Sequence, residues 1–366
     1  MNNEQKLSKL EFATLITFPL LTTYNFISFN TTIETSKINS YISVLYSSFI
    51  GLILLYIFIY ISNYKPELTL TEKNITLFGK KIGTIINYIL AFNISITGLI
   101  ILNNTVNFII IHYLKETPKT IILIAIGLTI IYTATKEIQV IAHSSFIIFI
   151  FIIFLTICST IGLITKFNIN NILPILESGI SKTINSGNKI TLTSILPLFI
   201  LLNIPKNSIK NNKNITKYIL VFYLISMFLI FILTILSIGI LGDNIIKIYA
   251  HPEYIILKKI SLFGFIDHIE NIVYLKWIFN SIITLTLIIY YISTTIKIKK
   301  NNKYNLLLTT SIIIIAILIL YKKYININKY ILKNYYYLNI LNLIILLIIF
   351  INILKKRRSL HIKTSS

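Results

Sequence analysis

The sequence predicts an all-α, polytopic membrane protein of about ten transmembrane helices. Three observations predict it. Hydrophobic residues make up 55% of the chain and charged residues only 13%, against nearly a quarter in soluble domains,. The apolar residues come in blocks that repeatedly reach the ~20 residues a helix needs to cross the hydrocarbon. The lysines lie between these blocks, where the positive-inside rule places basic residues.

The net charge of +22 is therefore read as loop charge and not as a nucleic-acid footprint, and no nucleic-acid partner is expected. The crowding of Ile, Asn, Lys and Tyr, with Arg357 and Arg358 as the only arginines, also fits an A/T-rich coding bias. Cys158 is the single cysteine, so the chain has no internal disulfide and no CxxC metal motif,. No cofactor is expected. The first apolar block follows a short basic start without a small-residue cleavage site and reads as a retained span.

Span 1 covers residues 10–29, is rich in Thr and Asn, and carries Pro19 near its middle. Span 2 covers 41–61, and a polar amphipathic connector, 63–81, follows. Span 3, 82–114, is longer than a bilayer needs and is expected to tilt or project. Spans 4 and 5 cover 120–135 and 138–164. The stretch 168–188 reads as a short surface helix with a Gly-containing turn. Span 6, 190–204, is short and contains Pro197. Span 7 covers 218–241, and 242–268 forms a second amphipathic connector. Spans 8, 9 and 10 cover 269–296, 304–321 and 331–354. Residues 1–354 thus read as a single transmembrane helical bundle, and 355–366 as a loose, basic cytoplasmic tail. The more basic set of loops falls on the side that holds both termini, which predicts both termini in the cytoplasm.

Backbone within a membrane breaks only where the freed groups face protein or a wet cavity. Pro19 interrupts span 1 and Pro197 interrupts span 6. In an inverted five-plus-five repeat these are matching helices, and the first helix of each half is often discontinuous. Half-helix N-termini would then receive a carboxylate, and exposed carbonyls an ammonium group. The alternative is that both prolines merely kink ordinary spans. In span 3, Asn93, Thr97 and Asn104 approximate one face, where they would line a pathway or hydrogen-bond between helices. His112 and His143 read as interhelical or interfacial groups. Glu270 and Lys276 lie in span 8; Glu270 is near enough to the end to be interfacial, and Lys276 is able to snorkel. No phosphate-binding loop, HExxH or GxSxG is present, so no enzyme and no catalytic residue is expected.

The segment HPEYIILKKISLFGFIDHIENIVYLKWIFNSIITLTLIIYYIS (251–293) resembles the spore germination permease family, the B subunit of nutrient germinant receptors. Pro252, Gly264, Phe265, Glu270 and Trp277 stand at that family's characteristic places. PELTLTEKNITLFGKKIG (66–83), ETPKTIILIAIGLTIIYTATKEIQVIAHSS (116–145) and NILPILESGISKTINSG (171–187) are similar to its connector, its spans 4 and 5, and its stretch before span 6. The resemblance implies the amino acid–polyamine–organocation superfamily fold, ten spans with an inverted repeat and discontinuous helices 1 and 6. It also implies a small nutrient, often an amino acid, held near spans 1 and 6. The implied partners are a larger germinant receptor A subunit and a C-subunit lipoprotein in the spore inner membrane. The chain departs from the family in TFPLLTTYN (17–25), which lacks the usual glycines, in Ile195-Leu196, and in His143 and His268 where arginine is common.

On this reading the chain is a membrane-embedded nutrient germinant receptor subunit. The ligand contacts would be Pro19, Leu20, Leu21, Thr22 and Thr23 on span 1, Asn93 and Thr97 on span 3, Thr193, Ser194, Ile195 and Leu196 on span 6, and Asn280 and Ser281 on span 8. An ion-coupled amino-acid transporter would use the same site with full alternating access. A scaffold that binds no ligand is the third class.

Overall fold

The first helix starts at a capping box. Ser8 N–H donates to Glu11 Oε2 at 2.8 Å, and Glu11 N–H donates to Ser8 Oγ at 3.2 Å,. In the computed structural model, which describes residues 6–249, 251–260, 270–296 and 327–364, this helix is α1 (Lys9–Thr14). It ends where Pro19 lacks the N–H that the Leu15 carbonyl would take. Helix α2 (Thr17–Thr23) resumes at once, widens into a π segment, Tyr24–Ser28, and continues as α3 (Phe29–Ser36). The chain turns at Lys37, whose φ is 50°, into α4 (Ser40–Asn63).

A second capping box, Thr69 with Glu72, opens α5 (Leu70–His112). Gly79, with φ of 79°, divides α5 into the amphipathic connector and the long span. An L side chain rarely adopts that backbone, so the glycine sets the bend. Helices α6 (Lys119–Ala134) and α7 (Ile138–Ile164) follow. Helix α8 (Ile180–Ile190) runs into a second π segment, Thr191–Ile195, and then a 3-10 stretch, Leu196–Asn203, with Pro197 at its start. Helix α9 (Ile215–Ile246) bends at Gly242, α10 (Pro252–Leu257) is short, and α11 (Glu270–Thr295) and α12 (Ile327–Thr364) complete the described chain.

Among the described residues, six helical runs are long and apolar enough to cross a membrane, and α6 is a shorter apolar helix. The apolar window of α11 is 72% buried, against 28% for α7, which puts α11 at the centre and α7 at the lipid. The outer face of α7 shows why: Ile147, Ile150, Phe154, Ile157 and Ile161 recur at helical spacing and are all exposed,. The chain is a multi-pass, all-helical membrane protein.

Two expectations change. Span 6 is not short, because the polar helix α8 leads straight into it. Its hydroxyls and backbone are taken by span 2 and by α3: Ser43 Oγ donates to the Thr183 carbonyl at 3.0 Å, and Ser36 Oγ to Ser186 Oγ at 3.2 Å. Hydropathy misses such a helix because Ser181, Lys182 and Asn185 keep one face polar and exposed while Thr183, Ser186 and Gly187 pack inward. The basic tail is helical through Thr364 as the continuation of α12, not loose. Span 9 (304–321), Gly264, Phe265 and His268 lie outside the described residues.

Candidate functional site

The interruptions of spans 1 and 6 take the form of a change of helical register, and the two π segments touch. The Ser28 hydroxyl lies 2.6 Å from both Thr193 Oγ1 and Ser194 Oγ. Thr23 Oγ1 donates to the Pro19 carbonyl at 2.6 Å and to the Ser194 carbonyl at 3.3 Å. A π turn takes carbonyls out of the α pattern and is common at functional sites. Here side chains meet them: Asn104 Nδ2 of α5 donates to the Phe26 carbonyl at 2.7 Å. The first π segment is thereby gripped from span 3 on one side and span 6 on the other. The backbone is not unwound, and side chains meet the carbonyls that the π turns free.

A cavity of about 560 Å³ lies against both π segments. Asn25 and Thr193 line it where the segments meet, and Asn104, His251 and Tyr335 contribute from α5, the start of α10, and α12. Asn30 and Glu34, both exposed, form its rim, and Lys189 of α8 stands in the same wall. The vestibule therefore offers one carboxylate and one ammonium. Burial, with the nearby His112 ring adding to it, pushes the His251 imidazole down to about 4, so it presents a neutral ring at neutral pH,. Asn25 Oδ1 is buried with no hydrogen-bond partner,.

Asn25 also lines a second, smaller cavity of about 40 Å³, together with Leu21, Asn280, Glu253 and Lys276. Lys276 Nζ lies 2.8 Å from Glu253 Oε1, and both residues are buried. This corrects the expectation for Lys276: it does not snorkel, because a carboxylate from the connector meets it inside the bundle. Glu270, expected at the interface, is also buried. His143 is an exposed group, 3.0 Å from Glu11 Oε1.

The expected ligand residues do not all meet in one hollow. Thr193 lines the vestibule; Leu21 and Asn280 line the smaller cavity. Ile195 and Leu196 face an apolar crevice against α4 and α12. Pro19, Leu20, Thr22, Thr23, Ser194 and Ser281 are buried, with Thr22 Oγ1 2.8 Å from Thr284 Oγ1 and Ser281 Oγ donating to the Ile278 carbonyl at 2.9 Å. Asn93 donates to Asn342 at 2.7 Å and Thr97 lies 2.7 Å from Tyr335 Oη, so both tie span 3 to α12. The vestibule residues Asn25, Glu34, Lys189 and His251 were missed. For Asn25 and Glu34 the signal was the polar run of span 1, which continues past its apolar end as NTTIETS; Lys189 and His251 left none.

Residues 6–329 match the sequence family described as Spore germination protein. The chain belongs to the spore germination permease family. A mutant of the Eremococcus coleocola manganese transporter superposes on this germination-family chain with a TM-score of 0.66 at 12% identity, covering 94% of this chain and 78% of that one. The same transporter in complex with an aromatic bis-isothiourea substituted compound gives 0.56 at 12% identity, covering 93% and 76%. At such identities the likeness speaks for the fold alone. No curated protein sequence matches the chain. Among the described residues no three His, Cys, Asp or Glu side chains cluster as a metal ion would need. The chain is a non-enzymatic membrane protein of permease type.

Proposed function

We propose that this chain is the nutrient-binding membrane subunit of a germinant receptor, and that a small amphoteric nutrient, an amino acid, occupies the vestibule at the two π segments. The observation that carries this reading is the contact of Ser28 with Thr193 and Ser194 beside a cavity that holds both Glu34 and Lys189. A carboxylate at the rim suits an ammonium group, and Lys189 suits a carboxylate. Asn25, whose carbonyl oxygen is buried without a partner, would turn that oxygen to the guest. A ligand that binds one packing of the π segments better than another shifts the bundle between states by that difference in affinity. The shift would pass to a larger A subunit and a lipoprotein C subunit in the spore inner membrane. The proposal includes a single ten-span bundle with an inverted five-plus-five repeat and both termini in the cytoplasm.

Spores carrying Asn25→Leu or Thr193→Val test it. Each variant is expected to need a nutrient concentration raised ~10-fold or more, the equivalent of one lost hydrogen bond of ~1.4 kcal/mol. Unchanged dose–response curves in both variants, at normal protein levels, would remove the vestibule from the account. An ion-coupled amino-acid transporter is the second reading. The smaller cavity behind Asn25, with the Glu253–Lys276 pair in its wall, favours it. Accumulation of labelled amino acid in reconstituted vesicles would support that reading over a pure receptor.

A further inference from the structure

Asn103, Asn104 and Asn107 stand close together on α5, and their partners turn them in different directions. Asn104 and Asn107, one helical turn apart, line the vestibule together with Ile111. Asn103 faces α6 with Asn107. Lys119, the first residue of α6, reaches back to both: its Nζ donates to Asn103 Oδ1 and to Asn107 Oδ1, each at 2.7 Å. Lys119 is only 9% exposed. An ammonium taken out of water needs acceptors inside the protein, and positions i and i+4 of α5 supply two on one face.

The consequence lies in the amides. An ammonium donates and never accepts, so Asn107 must turn its oxygen to Lys119. The planar amide then carries its NH2 group to the other side. Among the described residues Asn107 Nδ2 makes no hydrogen bond, and Asn107 is not fully buried, so its two N–H donors are left to the vestibule it lines. Asn104 is turned the opposite way. Its Nδ2 donates to the Phe26 carbonyl at 2.7 Å, which leaves Oδ1 as its unused group. Along this wall α5 thus offers an acceptor at Asn104 and donors at Asn107, ~4.5 Å further along the axis at 1.5 Å per residue.

We propose that Lys119 is a positioning residue that sets the polarity of the vestibule. From behind the wall it holds Asn107 with its N–H donors toward the guest, where they take the carboxylate of an amino acid, while the Asn104 oxygen faces the ammonium group. This rests on the reading that an amino acid occupies the vestibule. It adds a selectivity. A guest that places an NH2 group where a carboxylate oxygen belongs sets donor against donor, and a buried polar group left unpaired is costly.

Spores are screened with the common amino acids, and the most potent is compared with its own α-carboxamide. The readout is the ratio of the two concentrations that give half-maximal germination. A variant that merely lowers the amount of receptor moves both curves and leaves the ratio in place. Asn107→Asp keeps an oxygen for Lys119 and puts another where the NH2 stood, so it should shift the ratio ~10-fold or more in favour of the amide. Lys119→Gln, which both donates and accepts, lets Asn107 turn over and should shift the ratio the same way by less. Asn103→Leu, which spares the Lys119–Asn107 bond, should keep the wild-type ratio. An unchanged ratio in Asn107→Asp, or in a Lys119→Gln receptor that responds, overturns the proposal; if Lys119→Gln yields no response at all, Asn107→Asp decides alone. Shifted curves in Asn25→Leu and Thr193→Val beside an unchanged ratio in Asn107→Asp would keep the vestibule and remove only the role of Lys119, whereas flat curves in those two variants would remove both.

Discussion

Lys276 and Glu253 show at the scale of single residues what membrane burial demands. Their ion pair spans 2.8 Å inside the bundle. Removing one partner leaves the other charge buried, which typically costs ~3–5 kcal/mol, whereas removing both is far milder. Lys276→Met is expected to lower Tm sharply in detergent, and Glu253→Gln with Lys276→Met to recover most of the loss. Equal loss in the single and double variants would mean that the pair contributes nothing as a pair. Sequence alone marked Lys276 as a charge within a span, but its partner sits in a connector of no fixed length, so the pairing was not readable. Gly51 makes a second case. A Cβ there would collide with Tyr223 Oη and stand 2.5 Å from Ile195 Cδ1. Gly51→Ala should destabilise by ~1–3 kcal/mol through overpacking, and Tyr223→Phe, which removes the nearer atom, should return part of it in the same melting experiment.

At the scale of elements, the two prolines were legible and their consequence was only partly so. Pro19 and Pro197 pointed to interruptions at spans 1 and 6, and both spans do change register. A proline removes one N–H and says nothing about which neighbour will meet the freed carbonyls. That answer lies in Asn104 and Thr23, whose partners are 78 and 171 residues away. Because side chains satisfy the backbone, the segments stay helical. Asn104→Leu should leave the Phe26 carbonyl buried without a donor, at ~1–3 kcal/mol. It should also weaken the nutrient response, because the first π segment loses its grip on α5. A melting curve and a dose–response curve on the same variant check both; an unchanged Tm would contradict the assigned role. Helix α8 illustrates the opposite failure. Its polar sequence looks like a surface helix, yet its inner face meets α3 through the Ser186 hydroxyl and α4 through the Thr183 carbonyl.

At the scale of the whole molecule, composition was decisive. Blocks of apolar sequence longer than a bilayer needs leave helices as the workable solution, since every peptide group must be paired within the lipid. The position of the site was harder to read. Span 3 left a pathway and interhelical hydrogen bonding both open, and Asn93 and Thr97 spend their hydrogen bonds on α12. The hollow lies instead where the polar second half of span 1 meets α8, because these segments carry Asn25, Glu34, Lys189 and Thr193 to one wall. An interior hollow between packed helices is a property of the assembled bundle and leaves no local periodicity behind.

The most direct measurement places a single cysteine at Asn30, on the rim of the vestibule, in a Cys158→Ser background, and follows its modification by a membrane-impermeant thiol reagent in oriented vesicles. The account predicts modification from the outer side, slowed in proportion to occupancy by the nutrient that triggers germination. Modification from the inner side only, or a rate untouched by a saturating nutrient, would contradict it.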